Sequence, residues 1–106
     1  MALRKVVAII RNEALEKVEA RLADLRVRGI SVTKVKGYGE YANFFKPDWM
    51  VTHAKVEIFT EEKMADRIAD AIIKVAHTGM EGDGIVAVLP VLKLYRIRTK
   101  KEVQPE

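Results

Sequence analysis

AKVEIFTEEKMADRIADAIIKV, residues 54–75, changes its hydrophobic period part-way along. Ala54, Val56 and Ile58 alternate with Lys55, Glu57 and Phe59, the pattern of a strand with one buried face. Met64, Ile68, Ile72 and Val75 then recur at helical spacing and give one apolar stripe. Between the two periods, Thr60 suits a helix N-cap, and Glu61 and Glu62 suit the positive end of the helix behind it. A strand therefore feeds directly into an amphipathic helix that lies back on the sheet.

Working outward, Ile30–Lys36 (ISVTKVK) is β-branched and reads as a strand that ends at Gly37-Tyr38-Gly39. Leu3–Ile10 (LRKVVAII) reads as a buried strand. Asn12 is an N-cap candidate, and Leu15, Val18, Leu22 and Leu25 form a second helical stripe that Gly29 closes. On the C-terminal side the second helix stops near Thr78-Gly79, and a turn with three glycines (79–84, GMEGDG) leads into Ile85–Leu89. Pro90 cannot donate to a ladder, so a bend or an edge is expected there, followed by a strand over Val91–Thr99. Residues after about Lys100 read as a short polar tail. The order β-α-β-β-α-β is the split βαβ, ferredoxin-like arrangement: an α+β fold with an antiparallel sheet and two helices on one face.

With 106 residues the chain makes one domain, 1–106, and a domain this small gains from burial against partner subunits. Apolar residues at 49% and charged residues at 32% place it among globular proteins. There is no cysteine, which excludes disulfides and thiolate metal sites. No apolar run is long enough for a signal peptide or a membrane span, so the expected location is the cytoplasm. The net charge of +4 suits phosphates or acidic partners. No basic helix interleaved with aromatics is visible, so no nucleic-acid partner is expected.

The glycine turn carries the strongest local chemistry. Closely spaced glycines let successive N–H groups converge on one spot, a nest for phosphate, while an ordinary helix-to-strand turn has the same composition. Asp83 either braces that turn or accepts from a ribose hydroxyl. Arg96 and Arg98, two apart on an expected strand, leave one face and match phosphate oxygens; a solvated edge is the plainer reading. Gly37 and Gly39 permit close approach of a ligand, or simply start a loop. Tyr41, Phe44, Phe45 and Trp49 crowd one loop and mark a partner surface, or pack back on the body of an oligomer. His53 and His77, the only histidines, lack metal-site spacing, and no catalytic set is present, so neither a metal nor a catalytic residue is assigned.

These residues resemble the PII nitrogen-regulatory family over nearly the whole chain: VVAII, GISVTKVKGYG, AKVEI, TGMEGDG and RIRT. The resemblance implies a homotrimer with an adenine nucleotide in each cleft between subunits. Gly37 and Gly39 would border the cleft, Gly82, Asp83 and Gly84 would wrap phosphates, and Arg96 and Arg98 would reach across from the next subunit. Ser31 and Phe59 match places on the adenine side. The residues Glu40–Thr52 correspond to the family's T-loop, which docks on a transporter or enzyme. This loop is short and lacks the modified tyrosine tip, and Tyr41 sits at its base. Ile85 stands where family members place a lysine on the terminal phosphates, and Glu40 and Tyr41 stand where others use magnesium and 2-oxoglutarate. The chain therefore resembles a variant that binds ADP or AMP at least as well as ATP, without 2-oxoglutarate. It is similar in this to the carbon-metabolism branch, where some members sense bicarbonate. The resemblance implies a regulator, not an enzyme. A trimeric metal-handling protein of related fold is the alternative.

Overall fold

The computed structural model describes residues 2–37 and 51–104. Strand β1 (Leu3–Arg11) leads through a single 3₁₀ turn (Asn12–Ala14) into α1 (Leu15–Asp24), followed by β2 (Ser31–Gly37), β3 (Val51–Glu61), α2 (Glu62–Ala76) and β4 (Gly84–Val91). The four strands form one antiparallel sheet in the order β2-β3-β1-β4. A two-stranded hairpin, β5 (Tyr95–Arg96) with β6 (Lys101–Glu102), follows. This is the ferredoxin-like α+β arrangement expected from the sequence.

Period-two alternation decides which face of the sheet is covered. Val6, Ala8 and Ile10 of β1 and Ala54, Val56 and Ile58 of β3 are buried. They pack in one cluster with Val18 and Leu22 of α1 and with Ala65, Ile68 and Ile72 of α2. Each fully buried Ile or Leu contributes about 1.5–3 kcal/mol by leaving water. The alternate residues point to the opposite face, which no helix of the described residues covers. There Lys5 lies directly across from Phe59 in register. Its ammonium sits 5.5 Å from the ring centroid and 2.6 Å from Glu57. The hydrogen bond from Lys5 is the main cause that holds the Glu57 carboxyl below its ordinary range.

Several local expectations differ from the structure. Thr60 does not cap α2: β3 runs on through Glu61, which occupies the N-cap position without a side-chain cap. Asn12 does not cap α1 either. Its side chain donates to the Thr52 carbonyl (3.1 Å) and accepts from Lys34 (2.8 Å), contacts between distant segments that compete with local capping. Helix α1 ends before Gly29, with Arg26 in the left-handed region (φ 63°). Arg26 N–H bonds the Ala23 carbonyl and Val27 N–H bonds the Leu22 carbonyl, a Schellman closure sealed by Val27 on the core. Of the bend or edge expected at Pro90, the structure has the edge: Pro90 lies within β4, an edge strand.

The C-terminal segment is the larger correction. No continuous strand covers 91–99, and the residues after Lys100 are not a loose tail. Lys101 and Glu102 pair with β5, and Val103 N–H reaches the Leu94 carbonyl at 2.7 Å. Arg98 falls in the turn between β5 and β6, so Arg96 and Arg98 do not share a strand face.

Gly84 has φ 113°, and a Cβ there would stand 1.8 Å from the Ile9 carbonyl oxygen. Gly84→Ala is therefore expected to cost about 3 kcal/mol or more, because backbone rather than a flexible side chain must move. Ile68→Ala should cost about 2–5 kcal/mol through the cavity it leaves. Urea unfolding at fixed protein concentration measures both.

Candidate functional site

Most of the candidate chemistry gathers at the end of the sheet where β1 finishes, β3 starts and β4 begins. Gly79, Gly82 and Gly84 all have positive φ (88°, 92° and 113°), so the turn that links α2 to β4 folds back on itself as only glycine allows cheaply. Asp83 holds it. Its Oδ2 accepts from the Thr78 amide (2.8 Å) and the Gly79 amide (2.9 Å). Its Oδ1 accepts from the Thr78 hydroxyl and from Arg11 Nε (3.3 Å). A carboxylate offers about four lone-pair positions, and these donors use that number. Of the two roles open to Asp83, bracing the turn is the one this geometry carries.

The same donors explain its titration. Partial burial alone would raise the Asp83 pKa, but the bonds from the Thr78 hydroxyl, the two amides and Arg11 outweigh it and hold the carboxyl well below the ordinary carboxylate range. His77 Nδ1 lies 3.7 Å from Oδ2 and adds an ion pair only when protonated.

Two side chains, Arg11 again and His53, grip the turn by its carbonyls. Arg11 Nη2 donates to the Glu81 carbonyl at 2.6 Å. His53, only 3% exposed, places Nε2 3.3 Å from the Gly82 carbonyl. The amides of Glu81 and Gly82 donate to no protein acceptor among the described residues. The turn thus has its carbonyls occupied from the protein side and two consecutive N–H groups unspent, the makings of an anion nest. Sequence reasoning missed Arg11, Thr78 and the role of His53, because each acts only once β1, β3 and the turn meet. The register does align Arg11 with His53 across β1 and β3.

The remaining candidates are placed as follows. Gly37 ends β2, opposite Val51 at the start of β3. Ser31 begins β2 opposite Glu57, and Phe59 is about half exposed on the uncovered sheet face. Gly39, Tyr41, Phe44, Phe45 and Trp49 lie outside the described residues, as does the body of the loop expected over Glu40–Thr52. Thr52, at its root, is tied through Asn12 to Lys34. Arg96, in β5, lines a groove at the far end of the sheet with Phe59 and Thr60. The structure therefore brings Gly82, Asp83 and Gly84 together, and separates them from Phe59 and Arg96 by the length of β1 within one subunit.

A family model described as nitrogen regulatory protein P-II matches residues 3–101. The chain belongs to the PII family. The P-II protein of Azospirillum brasilense is 35% identical over 109 residues, covering 92% of this chain and 93% of its own length. P-II 1 of Escherichia coli K12 is 35% identical over 107 residues, covering 94% and 96%. The crystal structure of Arabidopsis thaliana PII bound to citrate superposes with a TM-score of 0.82 at 31% identity, covering 97% of this chain and 87% of that one. PII proteins are signal transducers, and membership makes this chain a regulatory protein and not an enzyme. Nothing in these comparisons points to the metal-handling alternative. Among the described residues no helix is long and apolar enough to cross a membrane.

Because the folded-state pKa of Asp83 is depressed, its contribution to stability is complete above the ordinary value near 3.8 and fades as pH falls below it. Wild-type stability should therefore drop on acidification from pH 5 towards about pH 2, and Asp83→Asn should flatten that drop while lowering stability at pH 7. Urea midpoints across this range provide the check.

Proposed function

We propose that this PII-family protein senses adenine nucleotides as a homotrimer in the cytoplasm. One nucleotide sits in each cleft between subunits and sets the posture of residues 40–52, which dock on a partner transporter or enzyme. The observation that carries this reading is the glycine turn with two unspent amides, hydrogen-bonded by His53 to the root of that loop. An anion seated on the Glu81 and Gly82 amides would pull on a turn that the start of β3 already grips. Loop posture and ligand occupancy would then be linked through contacts of a few ångströms.

The separation of the two half-sites supports a shared cleft. Gly82, Asp83 and Gly84 stand at one end of the sheet, while Ser31 and Phe59 with Arg96 and Arg98 stand elsewhere, so a single subunit does not wrap one ligand with both. A neighbouring subunit supplies the missing half when subunits pack around a symmetry axis. The uncovered sheet face and its margins favour such packing. Ile85 and Leu89 are about two-fifths exposed, Leu92 and Ile97 almost wholly so. Apolar exposure of this kind marks a surface that another chain covers.

Ile85 follows the turn without a charge, so the third phosphate of ATP gains little there. In our reading ADP or AMP binds at least as well as ATP, 2-oxoglutarate is not bound, and bicarbonate is the candidate second ligand. Citrate in the Arabidopsis relative is consistent with a family scaffold that accepts small polyanions.

The test is calorimetric titration with AMP, ADP and ATP, each with and without bicarbonate or 2-oxoglutarate. Binding of ADP or AMP that weakens at least about tenfold in Arg96→Ala/Arg98→Ala is the expected result, since each lost charged hydrogen bond is worth about 1.5–3 kcal/mol. No adenine-nucleotide binding, or binding that requires 2-oxoglutarate, would overturn it.

A further inference from the structure

We propose that Arg26 and Arg28 are ligand-recognising residues, and that with Arg96 they turn the groove at the far end of the sheet into an anion-binding surface selective for the diphosphate group. The inference rests on the nucleotide reading above and extends it to residues that reading does not use.

The groove encloses about 950 Å3 between the α1–β2 connection, the junction of β3 with α2, and the C-terminal hairpin. Three guanidiniums line it, from Arg26, Arg28 and Arg96. None of the three has an ion-pair partner among the described residues. The nearby Lys63 is paired with Glu61 at 3.5 Å, so the carboxylate in the groove is already spoken for. Phe59, Met64 and Leu94 give the wall an apolar part. Unpaired guanidiniums beside an aromatic ring match a flat apolar ring system joined to phosphate, because Arg offers a planar fork that holds two oxygens at once.

Arg26 reaches the groove from the end of α1. It occupies the left-handed closing position of α1, where glycine would avoid a cost of about 1–2 kcal/mol. A cation at that place also meets the negative end of the α1 dipole. The side chain is exposed and lines the groove, where it is open to an anion. These cations would also provide the positive charge that Ile85 does not.

Arg26→Asn, which tolerates the left-handed backbone, and Arg28→Gln are combined in one variant, with unchanged melting temperature as the folding control. Wild type and variant are titrated with AMP, ADP and inorganic diphosphate at two salt concentrations. The inference expects ADP and diphosphate to bind about tenfold or more weakly to the variant, AMP to lose less, and the salt dependence to shrink. If ADP binds both proteins within twofold, the inference falls and the nucleotide reading stands. If wild type binds diphosphate through these arginines but no nucleotide, the nucleotide reading falls and the anion surface stands. If wild type binds neither, both fall.

Discussion

The Gly84 backbone lies so close to the Ile9 carbonyl that no side chain fits between them. That contact sets where β4 meets β1, its one neighbour in the sheet among the described residues. It also sets where the glycine turn must lie, since the turn occupies the residues just before. With Gly84 seated, residues 78–83 fall beside the last residue of β1, and Arg11 reaches both the Asp83 carboxylate and the Glu81 carbonyl. The start of β3, in register with Arg11, brings His53 to Gly82. One close approach of backbone to backbone thus assembles a brace whose members come from β1, β3 and the end of α2.

Electrostatics then divide the work between the two ends of the sheet. At the turn end, Asp83 is saturated by donors, and the Glu81 and Gly82 amides remain unspent among the described residues. At the opposite end, the guanidiniums of Arg26, Arg28 and Arg96 have no ion-pair partner among the described residues and stand beside an apolar wall. In the proposed reading, neither end alone is a complete nucleotide site. An arrangement of subunits that sets one against the other combines fixed dipoles with mobile positive charge, and it covers the apolar face that the helices leave open.

Much of this was legible in the sequence. The change of period within 54–75 and the patterns on either side of it were enough for the element order, and the family was legible as a resemblance over VVAII, GISVTKVKGYG, AKVEI, TGMEGDG and RIRT. Ala54, Val56 and Ile58 are core, as their alternation requires. What failed was local: Thr60 and Asn12 have the chemistry of caps, yet the strand pairing of β3 and the long-range bonds of Asn12 prevailed over it. Arg98 was misplaced because β-branched and basic residues from Val91 onward suit a strand, while the chain spends 97–100 on a turn that only the pairing of β5 with β6 reveals. The brace was illegible for a plainer reason. Arg11 lies about seventy residues from the turn it holds, and nothing in its neighbourhood signals a destination.

The claim that a ligand site is split between subunits is tested most directly by mixing defects. Arg11→Ala, which removes the hold on the turn, and Arg96→Ala/Arg98→Ala, which removes the facing guanidiniums, are prepared as separate proteins and also co-expressed in equal amounts. ADP sites are then counted by titration. If each cleft takes its two halves from different subunits, the separate proteins bind poorly and random mixed trimers regain about a quarter of the wild-type sites. If the mixture binds no better than its components while wild type binds fully, the two halves belong to one subunit and the shared-cleft account is wrong.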